Sequence, residues 1–400
     1  MKNFNDLINP IEKVEFINLD ASNFSKLRYG RNNINIDLKT YKQLYKIAYN
    51  FFEANSLISL QEYFIQIFDC WCAFNLNKPN FIETKNKFKS LYISKPKYFT
   101  NLRSIYGVKL DNINKFEFAD TIVFSKGYLS EYLKSQPENK LNKLYPYNKN
   151  FSDTLIATKV KSITQKRANE IFENKYKEIE NFFNFFIHRN AQPIFILKPN
   201  YSEHVNFSIT FDEKSATLNY KLGGSPYDPI TLDSSKFSNN QIHEIFDIFS
   251  LKKDNKKDII WSLFNAINWI GKANTETDNA VAFTEYTFAL ECLLGNFTQS
   301  DIITPSISYQ ISNNAAFLLI DTGKENYIEN RKQIMRKIKT LYGLRSGIVH
   351  GGKTSIELQE VNSIKEILIE LVFKILTLYK EKRIITYEAL SDYINDLMYK

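Results

Sequence analysis

A chain of 400 residues that is 44% hydrophobic can bury a sizeable core, which excludes a disordered polymer and calls for two domains joined by a linker or interface. Its net charge of +8 (52 Lys and Arg against 44 Asp and Glu) is moderate and is compatible with an anionic partner. Three cysteines, two of them in Cys70-Trp71-Cys72, give neither a disulfide framework nor a four-ligand zinc pattern, and their apolar surroundings read as reduced, buried thiols.

The start, Met1-Lys2-Asn3-Phe4-Asn5, is followed by Pro10, Glu12 and Lys13 and not by the apolar run of a cleavable secretory segment. The first fifty residues mix short apolar runs such as Val14-Glu15-Phe16-Ile17 with polar breaks, which predicts a strand or two before helices begin near Leu38. Tyr41, Leu44, Tyr45, Ala48, Phe51 and Phe52 then form a helical stripe, and Leu60 to Phe74 form another; both are read as core. Between Lys95 and Asp153 the prolines Pro96, Pro137 and Pro146 predict a long connection, with short strands at Glu117-Phe118 and Ile122-Val123-Phe124.

An amphipathic helix is predicted from about Thr164 to Ile187, with Ala168, Ile171, Phe172, Tyr176, Ile179 and Phe183 on its apolar face. His188-Arg189 reads as a cation pair at the carboxy end of this helix. Alternating segments at Ile194 to Leu197, Val205 to Ile209 and Ala216 to Tyr220 then predict an antiparallel β-meander. Gly223-Gly224-Ser225 lacks the Lys and Ser or Thr that complete a phosphate-binding loop, so it is read as a turn, and His204 as a loop residue.

From Lys236 onward helices are predicted throughout: Gln241 to Phe249, Asp258 to Ile270, Asn279 to Leu294, Ser306 to Ile320, Lys324 to His350, Ile356 to Lys382 and Tyr387 to Met398. His243 is read as structural. The most hydrophobic stretch, Val361 to Tyr379, is broken by Lys365, Glu366, Glu370 and Lys374, which fits a bundle helix better than a membrane span. A cytoplasmic protein without a membrane partner, metal or other cofactor is expected. The chain divides into residues 1–150, a mixed and mainly helical part; 151–235, the long helix with the β-meander; and 236–400, the helical bundle. The fold class is α+β, predominantly α.

Basic residues are unevenly placed. Lys324 to Arg345 holds seven against two acidic, and Lys140 to Arg167 seven against one, so either stretch is able to track a phosphate backbone or to form a solvated lysine face. The first of these leads into Leu341-Tyr342-Gly343-Leu344-Arg345-Ser346-Gly347-Ile348-Val349-His350-Gly351-Gly352. Arg345 falls on the apolar stripe of Ile334, Ile338, Leu341 and Ile348, where a permanently charged guanidinium requires a carboxylate, a phosphate or a second subunit. Glu291, between Phe288 and Leu294 on another apolar stripe, is the carboxylate expected to meet it across the bundle. His350 lies five positions after Arg345, roughly 7.5 Å along the axis and about 140° around it. Gly351-Gly352 ends the helix, placing the imidazole in its last turn, where the helix dipole favours the protonated form.

This segment, preceded by Phe288-Ala289-Leu290-Glu291-Cys292-Leu293-Leu294-Gly295, resembles the Apea-like branch of the HEPN superfamily (higher eukaryotes and prokaryotes nucleotide-binding), whose signature is an Arg, a polar residue, several others and a His. The polar residue here is Ser346, and the resemblance covers about Asp258 to Lys380. It implies an antiparallel helical bundle that forms a homodimer with two motifs facing each other. It also implies a metal-independent endoribonuclease of prokaryotic anti-phage defence or a toxin system, with RNA as partner and a regulatory or antitoxin protein as a further one. Carried onto this chain, His350 is the acid or base and Arg345 the phosphate-holding cation. Ser346, Glu291 and Tyr342 support them, and Arg331, Arg336 and Lys339 meet RNA. A related subgroup carries a tyrosine two positions after the histidine; Gly352 stands there, so modification of such a tyrosine is not implied. The competing expectation is a non-catalytic module that binds a nucleotide, RNA or protein through the same dimer groove.

Overall fold

The computed structural model describes residues 3–14, 25–29, 32–75, 80–108, 110, 114–135, 152–187, 196, 206–211, 216–221, 239–251, 258–295, 307–321, 323, 325–351 and 355–398. For residues 25–29, 32–35, 206–211, 216–221, 239–240 and 350–351 the description covers the backbone alone. The architecture is α+β and mainly α.

The amino-terminal unit comprises α1 (Phe4–Ile8), a 3-10 turn (Asn9–Lys13), a hairpin of β1 (Ser25–Tyr29) and β2 (Asn32–Ile36), α2 (Leu38–Ala54), α3 (Leu60–Asn75) and α4 (Phe81–Tyr92). Asp37 sets the start of α2 by accepting the Thr40 amide at 2.9 Å, one of the four donors a helix start leaves unpaired. The aromatic stripe predicted on α2 and α3 is core: Phe51 packs on Phe88 with ring centroids 4.8 Å apart, and the Trp71 indole donates to the Val14 carbonyl. Cys70 and Cys72 are buried thiols here, and burial raises the Cys70 pKa to about 12. Of the strand expected at Val14 to Ile17, residues 15–17 lie outside the described residues.

A six-stranded, wholly antiparallel sheet follows, in the order β4-β5-β6-β3-β7-β8. Its strands are β3 (Lys97–Ile105), β4 (Lys115–Phe118), β5 (Thr121–Ser125), β6 (Thr154–Ser162), β7 (Asn206–Phe211) and β8 (Ala216–Lys221). The expected β-meander supplies β7 and β8; of its first segment, Ile194 to Leu197, only Ile196 is described, and it is buried outside any strand. β3 replaces the first part of the connection expected between Lys95 and Asp153, and its sheet partner β6 begins directly after it. They pair along their full lengths from Lys97 opposite Ser162 to Ile105 opposite Thr154, so the sheet crosses the boundary placed at residue 150.

α5 (Leu129–Lys134) covers one end of one sheet face through Leu129, Tyr132 and Leu133 against Leu102, Phe124 and Leu155. α6 (Gln165–Asn184), capped by Thr164, lies on the opposite face with Ala168, Phe172, Tyr176, Ile179 and Phe183 buried as its period predicts. His188-Arg189, Gly223-Gly224-Ser225 and His204 lie outside the described residues.

The rest is helical: α7 (Asn239–Leu251), α8 (Ile259–Thr275), α9 (Asn279–Leu294), α10 (Ile307–Leu319), α11 (Tyr327–Gly351), α12 (Leu358–Lys382) and α13 (Tyr387–Met398). Asp258 and Asp278 cap α8 and α9, and Glu357 with Glu360 forms a capping box on α12. α9 packs along α8 and α12, and α11 along α10. His243, on α7, meets the edge of Phe116 at a ring-centroid distance of 4.8 Å. The core is continuous from the sheet face through α6 into these helices, from Phe99 and Ile156 to Leu371 and Ile394. None of the described helices is long and apolar enough to cross a membrane.

Candidate functional site

α11 and α9 together carry the residues singled out in the sequence. Ile338, Leu341 and Tyr342 on α11 are buried, and Ile334, Leu344 and Ile348 pack at the margin of the same core. This fixes the rotation of the helix and brings Arg345 to the edge of the bundle, opposite Glu291 of α9. The Nη2 of Arg345 stands 3.5 Å from Glu291 Oε1, and their side chains are 22% and 25% exposed. Tyr342, one turn before, donates its hydroxyl to the same Oε1 at 2.6 Å, and its ring lies 5.8 Å below the Arg345 guanidinium. Burial, followed by the hydrogen bond to Glu291 and the charge of that carboxylate, pushes the Tyr342 phenol well above its ordinary pKa, with Arg345 acting in the other direction.

This oxygen therefore takes its hydrogen bond from the phenol and meets the guanidinium as an ion pair, and among the described residues the guanidinium is not held as a two-point fork. The Nε of Arg345 is buried and has no hydrogen-bond partner among the described residues. A buried N–H left in this state costs about 1–3 kcal/mol unless an acceptor arrives, and a phosphate oxygen is an acceptor that this cation suits.

Glu291 is itself held in place from behind. The next carbonyl, that of Cys292, accepts from the Ser262 hydroxyl at 2.7 Å and the Tyr387 hydroxyl at 2.8 Å, so α8 and α13 pin the end of α9. Cys292 is a half-buried free thiol whose pKa burial raises to about 11. Neither hydroxyl was flagged by the sequence, because nothing local marks a serine or tyrosine as the clamp on a distant carbonyl.

The solvent side of α11 repeats at helical spacing: Lys332, Arg336, Lys339, Gly343 and Ser346 are exposed, and position 350 falls on the same row. Arg336 meets Glu329 at 3.5 Å, and the Lys339 ammonium lies 5.0 Å from the Tyr309 ring centroid. A side chain at Gly343 would project into open space. His350 lies in α11 one residue before its last; its side chain lies outside the described residues, as does the whole of Gly352.

Arg331 departs from the expected RNA-facing set. It is only 8% exposed, its Nε donates to the Ile320 carbonyl at 3.2 Å, and its guanidinium stacks 4.1 Å from the Phe317 ring centroid. Burial lowers its pKa. The side chain closes the end of α10 instead of facing solvent, and the exposed cation of that turn is Lys332.

No family model matches this chain, and comparison with curated proteins and with solved structures gives no significant match.

Proposed function

We propose that this chain is a metal-independent endoribonuclease of the HEPN kind, acting as a homodimer through its carboxy-terminal bundle in prokaryotic anti-phage defence or a toxin system. The observation that carries the reading is Arg345: a cation at the wet edge of a helical bundle, facing Glu291, with one buried donor unpaired among the described residues. A phosphodiester supplies the missing acceptor, and the exposed row Lys332, Arg336 and Lys339 on the same helix offers charge for the flanking phosphates.

In this mechanism a ribose 2′-oxygen attacks the adjacent phosphorus. The new O2′–P bond forms as the P–O5′ bond breaks, leaving a 2′,3′-cyclic phosphate and a 5′-hydroxyl. The 2′-hydroxyl loses its proton to a base and the departing 5′-oxygen gains one from an acid. With an unperturbed pKa of about 6.5, the imidazole of His350 suits either transfer near neutral pH. Arg345 holds the non-bridging oxygens as negative charge grows on them, and Tyr342 with Glu291 keeps the guanidinium aimed. The substrate is RNA because DNA lacks the attacking hydroxyl.

Bulk RNA incubated with the full chain in EDTA is expected to be cut to fragments ending in 2′,3′-cyclic phosphate. His350→Ala and Arg345→Ala are each expected to slow cleavage by about 10²-fold or more. Undiminished cleavage by His350→Ala rejects the reading. A second reading draws on the same Glu291 contact, which already engages Arg345 without a ligand: a non-catalytic module that binds a nucleotide, RNA or protein. Saturable RNA binding without cleavage products, lost in Arg345→Ala, selects it.

A further inference from the structure

The basic run from Lys140 to Arg167 is not used by the site on α11, and β6 shows where part of it goes. Lys159 and Lys161 alternate with the buried Thr158, Val160 and Ser162, so both lysines project from one sheet face. In the register of β6 with β3, Lys161 stands opposite Tyr98 and Lys159 opposite Thr100, which puts all four on that face. Tyr98 is 56% exposed, and the Lys159 ammonium lies 4.8 Å from its ring centroid. Neither lysine has a carboxylate partner among the described residues.

The same face is closed at its other end by α5, where Leu102, Phe124 and Leu155 are buried. Among the described residues of β3 and β6 on this face, the exposed ones are Tyr98, Lys159 and Lys161. The approach to them is also basic, since Lys95, three residues before Tyr98, is exposed, whereas Lys97 turns to the opposite face over the Phe99 ring. The nearest acid along β5 and β6 is Asp120, at the tight turn whose carbonyl accepts the Lys159 amide; its carboxylate faces Lys175 of α6 at 3.9 Å.

An exposed ring with one lysine directly across the strand and another over its face matches a nucleotide. A base stacks on the ring while the ammonium groups take the phosphates on either side. Stacking needs an unpaired base, which selects a single strand over a duplex. An acidic peptide would satisfy the lysines and leave the ring unused.

We propose that the open end of this sheet, formed by Tyr98, Lys159 and Lys161 with Lys95 at its approach, is a docking surface for single-stranded RNA. It rests on the RNA reading given above for its ligand and extends it by giving the sheet the task of holding the strand. The surface belongs to the sheet and not to the bundle, so it works whether or not the strand is then cut.

The test uses the full chain carrying His350→Ala, so that RNA survives the measurement, with fluorescence anisotropy on a labelled single-stranded oligouridylate. Lys159→Glu with Lys161→Glu is expected to weaken binding about tenfold or more. It is also expected to flatten the plot of log affinity against log salt by about 1.4, at roughly 0.7 for each phosphate contact to a single strand. Tyr98→Ala is expected to weaken binding several-fold while Tyr98→Phe keeps it, and Tyr98→Ala is expected to leave affinity for an RNA duplex of equal length unchanged. In the His350→Ala protein with this face intact, 4-thiouridine RNA is expected to cross-link to the peptide bearing Tyr98, a readout that holds should a charge reversal fail to fold. Unchanged affinity in the double charge reversal overturns the proposal. So does cross-linking confined to other peptides, or an acidic peptide bound as tightly as RNA with Tyr98→Ala neutral. Cleavage by the unaltered chain together with unchanged binding in the patch variants overturns this proposal alone; binding lost in those variants without any cleavage by the unaltered chain overturns the nuclease reading alone.

Discussion

Tyr342 donates its phenolic proton to Glu291 across 2.6 Å, and this hydrogen bond fixes the carboxylate that Arg345 reaches at 3.5 Å. The phenol makes the hydrogen bond while the cation stays at ion-pair distance, so it and not the cation sets the position of Glu291. Tyr342→Phe is expected to cost about 1–2 kcal/mol, as for a hydrogen bond to a charged acceptor at a partly exposed site. In a double-mutant cycle with Glu291→Gln, measured by urea denaturation, the pair is expected to couple by a similar amount. Additive effects of the two changes would show that the contact is not made in solution.

Two phenols are buried with their hydroxyls donated to carbonyls: Tyr63 to Asn55 at 2.9 Å and Tyr176 to Asn101 at 2.9 Å. Burial is the largest cause that raises the pKa of each, and of Tyr132 and Tyr342. A phenol whose folded pKa exceeds its unfolded value of about 10 favours the folded state fully below that value and loses the benefit as pH climbs toward the folded one. Stability is therefore expected to fall steeply above about pH 10, with these tyrosinates forming only as the fold opens. Their ultraviolet signal should appear with the loss of near-ultraviolet dichroism; tyrosinate appearing in full before any unfolding would refute the burial argument.

The carboxy-terminal helices were legible from their long apolar runs, and at α8 and α9 also from the start signals Asp258 and Asp278, which meet orphan amides. β3 was not. Its run Thr100, Asn101, Arg103 and Ser104 is polar yet buried, which hides the strand from any hydrophobic pattern. Arg103 donates to the neighbouring Asn101, but its other partners are far along the chain: it donates to Glu173 of α6 and stacks on Tyr176. In the candidate site the meeting of Glu291 with Arg345 followed from two charges on apolar stripes. The burial of Arg331 did not, because it depends on where α10 ends.

Gly271 marks a contact that the sequence did not show, since the helix predicted from Asp258 stopped at Ile270 whereas α8 continues to Thr275. A Cβ there would stand 1.8 Å from the Asn181 carbonyl oxygen, a backbone atom of α6 that cannot rotate away. α8 and α6 therefore cross with their backbones in direct approach, and the sheet layer is joined to the bundle at this point. Gly271→Ala is expected to destabilise the fold by about 3 kcal/mol or more, since overpacking against backbone must push two helices apart. The same change at Gly343, where space is open, is expected to be neutral or slightly stabilising, as helix propensity favours alanine by up to about 1 kcal/mol. Thermal denaturation of the two variants side by side separates packing from propensity; a Gly271→Ala protein as stable as the parent would show that the helices do not approach this closely.

Glu285 and Lys272 form an unequal pair between α9 and α8. The ammonium stands 2.6 Å from Glu285 Oε1, yet the carboxylate side chain is 6% exposed and the lysine 50%. Glu285 Oε2 has no hydrogen-bond partner among the described residues. Burial raises the Glu285 pKa, and Lys272 only partly offsets this. A carboxyl group with a raised folded pKa adds stability that is present at low pH and lost as pH rises through that folded value, so at neutral pH the ionised carboxylate is a burden on the fold. The two partners should then respond differently to substitution. Glu285→Gln removes the buried charge while keeping the shape, and Lys272 turns to solvent; the expected change at pH 7 is between neutral and about 1 kcal/mol stabilising. Lys272→Met leaves the carboxylate without its cation and is expected to destabilise at pH 7, with most of the loss recovered at pH 4 as Glu285 takes up a proton. Urea denaturation of both variants at the two pH values reads the asymmetry, and equal losses from the two substitutions at pH 7 would show that the carboxylate is better solvated than its burial implies.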